Sequence, residues 1–430
     1  MKRRIFLSGL TGLGLAATRL PKVQKTEVEP INTARNLIFV LLEGGPSHVD
    51  TFDLKTSAST PDLLGPVTLA NGALWPAGIM PKLATMSDQF SLVRAISGVE
   101  AVHERGVYQL LTAHRQNAAF QADVPHFASM LSYLLENQRS PQDSLATAVI
   151  IGANPAKNGF LDIGHQGLQL RDDGQIQHLE HPFSGEARRF ALLDNVLAVR
   201  KESQDQRKDW LRFQIQAREM MANPVLQNLS ASLVDTDSLE GQFLNQCRLA
   251  TKILAEKTGT RVIQLQLSGW DHHDFIYGDQ EFGLPTRARA FDTGMADLIE
   301  NLSQIPGQQK ESLLDETLIV AMGEFGRTTG PLNSSQGRDH FPYVIPAFFA
   351  GGGIKPGRII GKSSGDGSYI VDPGWSHARY MGIPDILATC YSAMGFDWYQ
   401  TFSETPSGRT FEMVPPTPLG PAYDIAGLFS

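Results

Sequence analysis

Four runs of uninterrupted apolar residues stop abruptly at glycine and polar clusters. Residues 36–42 (NLIFVLL) end at Glu43-Gly44-Gly45-Pro46-Ser47-His48-Val49-Asp50. Residues 261–267 (RVIQLQL) end at Ser268-Gly269-Trp270-Asp271-His272-His273. Thr317–Met322 (TLIVAM) ends at Gly323-Glu324-Phe325-Gly326-Arg327-Thr328, and 344–350 (VIPAFFA) ends at Gly351-Gly352-Gly353. Apolar runs of this length suit strands buried on both faces, as in a parallel sheet covered by helices. Between them the spacing predicts helices over 202–221, with Trp210, Leu211 and Ile215 on one face, and over 286–302, with Ala290, Met295, Leu298 and Ile299. A further helix opens at His103 and runs through Leu111. Strand–helix alternation of this kind is the signature of a doubly wound α/β fold, in which ligands bind outside the carboxyl ends of the strands. Three of the strand ends carry the densest polar clusters of the chain. The stretches 56–81, 152–183 and 361–375 are rich in Gly, Asp or Pro and read as loops able to form a cap or lid. No repeat or composition break calls for a second core, so 26–430 is expected to be one domain.

Composition narrows the classes. The chain has 430 residues, 42% hydrophobic and 19% charged, which supports a packed core and excludes a disordered scaffold. Lys+Arg is 37 against Asp+Glu 45, a net charge of −8, and no basic run follows the N-terminus, which argues against a nucleic-acid partner. Residues 1–25 begin Lys2-Arg3-Arg4-Ile5-Phe6-Leu7 and continue through a short Gly/Ala-rich apolar stretch, the pattern of an export signal. The Arg-Arg-x-Phe-Leu pattern resembles a twin-arginine signal, so the Tat export machinery is an expected partner and the location periplasmic or secreted. Nothing after it approaches a membrane-spanning run. The two cysteines, Cys247 and Cys390, are too few for a thiolate zinc site. Export permits them to pair, and burial as free thiols is the alternative.

A metal would therefore sit on His, Asp and Glu. Asp271-x-His273 presents a carboxylate and an imidazole from one tight turn, both good ligands for a divalent ion. Asp339-His340 is a second such pair, Glu43 a further carboxylate, and His377 a further imidazole or else a surface histidine at a helix start. Arg327, beside Glu324, could clamp a phosphate or sulfate through its planar fork, or could form a buried ion pair. His103 stands at the first turn of its helix, where free backbone N–H groups suit an anion, the alternative being a capped surface helix.

EGGPSHVDTFDLK (43–55), LSGWDHH (267–273), GEFGRT (323–328) and GRDHFP (337–342) occur in the same order as in the DUF1501 family of bacterial secreted proteins, and the resemblance spans roughly 34–400. That family is placed in the alkaline phosphatase-like superfamily with sulfatases and phosphodiesterases. The resemblance implies a three-layer α/β/α sandwich with a mostly parallel sheet and, as in active relatives, a metal site that holds a phosphoryl or sulfuryl ester. Carried over residue by residue, it implies metal ligands Glu43, Asp271, His273, Asp339, His340 and His377. The helix ending Leu111-Thr112-Ala113 resembles the one that starts with the relatives' Ser or Thr nucleophile. Here counting back gives His103, a departure that leaves Ser47 and Thr51 as hydroxyl alternatives. The Cys/Ser-x-Pro-x-Arg sequence of formylglycine sulfatases is missing.

Two functions follow as expectations. One is an exported metal-dependent hydrolase of phosphate or sulfate esters, acting on a small-molecule or glycan-linked anionic ester, with His103 and Arg327 as catalytic residues. Its cofactor would be one or more divalent ions, with zinc, calcium, magnesium and manganese equally compatible. The alternative is a non-catalytic exported binding or structural protein that keeps the fold.

Overall fold

The computed structural model describes residues 22–24, 28–57, 60–172, 229, 233–278, 282–403, 405 and 407–430. The leader up to residue 21 and the helix expected over 202–221 lie outside the described residues. Lys22–Gln24 pairs antiparallel with Thr401–Ser403.

Eight strands form the central sheet: β1 (Asn36–Leu41), β2 (Phe90–Ile96), β3 (Ala148–Ile151), β4 (Leu168–Leu170), β5 (Val262–Gln266), β6 (Thr317–Met322), β7 (Ile345–Ala350) and β8 (Ile359–Ile360), in the order β8-β2-β7-β6-β1-β5-β3-β4. Seven of them run the same way, and β7 lies antiparallel to both its neighbours. The run at 344–350 therefore ends at the opposite pole from the other strand ends, and Gly351 packs against the Thr317 carbonyl at the start of β6.

The apolar runs are buried on both faces. In β1 the alternate residues Leu37, Phe39 and Leu41 enter one core and Ile38, Val40 and Leu42 the other. Each such side chain contributes about 1.5–3 kcal/mol relative to exposure. Helices α1 (His103–Thr112), α2 (Phe127–Leu134) and α5 (Ile383–Ala393) cover the first face. Helices α3 (Leu239–Ala255) and α4 (Leu284–Gln304) cover the second, giving the expected α/β/α layering. Leu64, Trp75, Ile79 and Met80, from the stretch read as a loop at 56–81, are buried in this second core beside Phe52, Phe90 and Phe291. Cys247 and Cys390 are both free and buried in different cores on opposite sides of the sheet, so they do not pair. Among the described residues no helix is long and apolar enough to cross a membrane.

Candidate metal centre

Strands β6, β1 and β5 are neighbours, so the loops at their carboxyl ends converge. Backbone meets backbone there: Gly44 has φ +111°, and a Cβ on it would stand 2.6 Å from the Asp271 nitrogen. β5 delivers Asp271 and His273. A two-residue ribbon, His340–Phe341 against Gly326–Arg327, delivers His340 to the same place. Because β7 is antiparallel, its amino end, just after this ribbon, also lies at this pole. His103 comes from the first turn of α1. One turn further along α1, Gly106 lies against Glu324, where an added Cβ would be 2.9 Å from the Glu324 Cβ.

His103, Asp271, His273 and His340 can each offer one ligand atom, all lying within 4.8 Å of one another, and together they could hold a metal ion. Their outer nitrogens explain the arrangement. His103 Nδ1 is 2.6 Å from Glu324 Oε1, His273 Nδ1 is 2.9 Å from Asp339 Oδ1, and His340 Nδ1 is 2.7 Å from the Ala101 carbonyl. A carbonyl or carboxylate oxygen only accepts, so each Nδ1 carries a proton and donates, which in the neutral imidazole leaves Nε2 as a lone pair. The three Nε2 atoms converge on Asp271 Oδ1, at 3.2 Å from His103, 3.1 Å from His273 and 3.4 Å from His340. His273 Nε2 and His340 Nε2 face each other at 2.9 Å, and His103 Nε2 is buried with no aligned hydrogen-bond partner. Three lone pairs and a carboxylate oxygen turned on one another repel unless a metal ion lies among them or protons are taken up on the nitrogens. Anchoring of each ligand imidazole through its other nitrogen is the outer-sphere pattern of metal sites, and the residues present fit a divalent ion.

The surrounding charges set the protonation of the group when no metal is bound. Burial works against the Asp271 charge, but the hydrogen bond and charge of Arg327, helped by His103 and His273, outweigh it and hold the carboxyl at about 2. Asp271 is thus ionised at any working pH. The Glu324 carboxylate raises His103 above the ordinary imidazole range against the effect of burial. Burial lowers His340, opposed by its bond to the Ala101 carbonyl.

The structure sorts the residues expected from sequence. Asp271, His273, His340 and His103 come together. Asp339 stands behind His273 as its hydrogen-bond acceptor rather than inside the group. Glu43 is not brought in: its Oε2 accepts from Gln266 Nε2 (2.7 Å) and Ser268 Oγ (2.8 Å). His377 is elsewhere, stacked on Tyr423 with ring centroids 3.8 Å apart. Arg327, expected as an anion clamp, is fully buried. It donates Nε to the Gly45 carbonyl, Nη1 to that of Arg338, and Nη2 to the Gly44 carbonyl and to Asp271 Oδ1 (2.5 Å). Its fork holds loop carbonyls and orients a ligand. Ser47 donates to Asp50 Oδ2 and Thr51 to the Ser47 carbonyl, and both are buried within their own turn.

Two supporting features were not evident from the sequence. Glu324, instead of pairing with an arginine, accepts from the Gly44 N–H (3.0 Å) as well as from His103. Asp50 and Arg338 form a buried pair at 2.7 Å, joined by the Tyr277 hydroxyl, that ties the first loop to the segment entering the ribbon.

The model of the family described as protein of unknown function (DUF1501) matches residues 34–418. The chain belongs to the DUF1501 family. No curated protein matches it. Among solved structures it is similar to a protein in the alkaline phosphatase superfamily from Vibrio parahaemolyticus, at 12% identity and TM-score 0.39, covering 86% of this chain and 69% of that one. It is also similar to the lipoteichoic acid synthase LtaP from Listeria monocytogenes, at 11% identity and TM-score 0.39, covering 88% and 76%. A third is the sulfatase PsFucS1 from Pseudoalteromonas sp., at 11% identity and TM-score 0.38, covering 86% and 68%.

Proposed function

We propose that this DUF1501 protein is an exported metal-dependent hydrolase of phosphate or sulfate esters. The observation that carries the metal dependence is the convergence of three Nε2 lone pairs on Asp271, each imidazole locked through its Nδ1. His103, His273, His340 and Asp271 would hold the ion. Three nitrogens and one carboxylate oxygen suit zinc or a similar borderline ion better than calcium or magnesium, which favour oxygen cages. Bound there, the ion would supply Lewis acidity and charge neutralisation toward an anionic ester. Arg327 keeps Asp271 ionised and fixed. Glu324, Asp339 and the Ala101 carbonyl keep the three protons on Nδ1, so that every Nε2 stays available. The choice of an anionic ester as substrate rests on the four ordered motifs and on what the family resemblance implies. Export rests on Arg3 and Arg4 in the leader, and a lysine pair in their place should retain the protein in the cytoplasm.

The buried, fully engaged Arg327 and the buried Ser47 and Thr51 favour a second reading, a metal-holding binding or structural protein without turnover. Elemental mass spectrometry on protein purified without added metal, wild type beside His340→Ala, decides the metal. An aryl phosphate and sulfate panel then decides the chemistry. Stoichiometric metal and turnover, both lost in the variant, support the hydrolase. Metal without turnover supports the second reading, and metal content unchanged in His340→Ala refutes both.

A further inference from the structure

The opposite pole of the sheet carries a cavity of about 190 Å³ lined by residues from the amino ends of three parallel strands and the loops beside them. Arg35 and Asn36 lead into β1, Thr147 precedes β3, and Thr260 and Arg261 precede β5. Arg139 and Asp143 come from the segment after α2, and Lys257 from the end of α3. Four cationic side chains therefore meet in one recess of a chain whose net charge is −8.

Three of these cations are not neutralised by pairing. Among the described residues, Arg35, Lys257 and Arg261 have no ion-pair partner, and the buried Arg35 Nε has no hydrogen-bond acceptor. Arg261 donates Nε to the Arg35 carbonyl, which brings the two guanidinium-bearing residues side by side. Burial, then the Arg35 charge, push Arg261 down to about 10, against Glu316 and Asp143, so it stays charged at neutral pH. The two acids are engaged by backbone N–H groups. Asp143 accepts from Ser140, and Glu316 from Gln308 and Gln309. Arg139 is held over the cavity by its bonds to Thr147 Oγ1 (2.7 Å) and the Leu145 carbonyl (2.8 Å). A recess with several unneutralised cations, a buried donor lacking an acceptor and hydroxyl or amide groups on its walls has the chemistry of an oxyanion site.

We propose that this cavity is a second site, separate from the metal centre, that binds a tetrahedral oxyanion, either inorganic phosphate or sulfate or the phosphate of a small monoester. A six-residue strand places the two poles about 20 Å apart, so a small anion cannot contact both.

The test is titration calorimetry of the full chain with inorganic phosphate, inorganic sulfate and glycerol phosphate. It uses wild type, Arg35→Gln/Arg261→Gln and His340→Ala, with the monoester tested on His340→Ala so that turnover does not intervene. We expect saturable one-to-one binding that falls at least tenfold in the arginine double variant and persists in His340→Ala. Preference for glycerol phosphate over the inorganic ions assigns the site to a monoester, and the reverse assigns it to the free ion. If the double variant does not fold, Lys257→Gln, whose side chain makes no hydrogen bond or ion pair among the described residues, replaces it and should weaken binding severalfold. No saturable binding, binding unchanged in the basic-site variants, or binding lost in His340→Ala overturns the proposal. Binding lost in His340→Ala would place the anion at the metal centre, and the other outcomes leave the hydrolase reading untouched.

Discussion

Replacing Glu324 by glutamine isolates the contribution of one outer-sphere charge to the metal centre. Glu324 Oε1 accepts both the His103 proton (2.6 Å) and the Gly44 N–H (3.0 Å). A glutamine with its carbonyl at that position keeps both bonds and gives up only the longer 3.3 Å contact of the Gly44 N–H with Oε2. What is lost is the negative charge behind His103. Hydrogen bonds to a charged group contribute about 1.5–3 kcal/mol against about 1 for neutral ones, so at most about 2 kcal/mol of imidazole basicity and orientation is removed. Outer-sphere substitutions at metal sites cost about 10–100-fold in affinity, which is the same range on a logarithmic scale. Glu324→Gln should therefore weaken divalent-metal binding about tenfold, and Glu324→Ala, which also frees the His103 ring and orphans the Gly44 N–H, by more. Competition with a chromogenic chelator at fixed pH measures this, with circular dichroism to show that both variants fold. Equal affinity in wild type and Glu324→Gln would refute the argument, because His103 would then not be a ligand whose basicity Glu324 sets.

Gly106→Ala should destabilise the protein by about 1–3 kcal/mol in denaturant melts. Alanine gains about 1 kcal/mol of helix propensity, but its Cβ at 2.9 Å from the Glu324 Cβ forces α1 off its support. Asp271, held at about 2 in the fold, contributes stability that is present above its unfolded value near 3.9 and lost as the pH falls toward 2. Metal-free Asp271→Asn should then show a shallower loss of melting temperature than wild type between about pH 4 and 2, and parallel curves would contradict the shift. His377→Ala should leave metal content unchanged and lower stability by about 1 kcal/mol through the lost stack on Tyr423, whereas loss of metal would restore His377 as a ligand.

How much of the fold was legible depended on whether the signal was local. β1, β6 and β7 stood out because both faces of each strand are buried and the runs contain almost nothing polar. The direction of β7 did not, since it is decided by its partners and not by its own sequence. β2 was hidden by Arg94, which interrupts FSLVRAI but is paired with the fully buried Asp53 at 3.2 Å. In α3 the apolar stripe Phe243, Cys247, Ala250, Leu254 was diluted by buried polar residues with specific partners. Gln246, for example, exchanges two 3.0 Å bonds with the backbone of Gln266 at the end of β5.

At the site, the rule that ligands lie at strand carboxyl ends found the right loops but not the right atoms. Asp339 and His340 are adjacent at the start of the ribbon, and successive side chains in an extended segment point to opposite sides. Only one of the pair can enter the group, and the other reaches it through His273. The choice for Arg327 between an anion clamp and a buried ion pair stayed open because three of its acceptors are the backbone carbonyls of Gly44, Gly45 and Arg338, which leave no trace in side-chain chemistry. The same blindness acts in reverse at the far pole. Arg35, Arg139, Lys257 and Arg261 are too far apart in sequence to form a basic run, and an acidic chain gives no reason to look for one. Parallel strands bring their amino ends together as surely as their carboxyl ends, and each residue just before a strand is placed there by the sheet. Charge that is dilute along the chain thus becomes concentrated in the fold: the sheet that presents the metal-centre loops at one end sets Arg35 and Arg261 side by side at the other, where Arg139 and Lys257 join them.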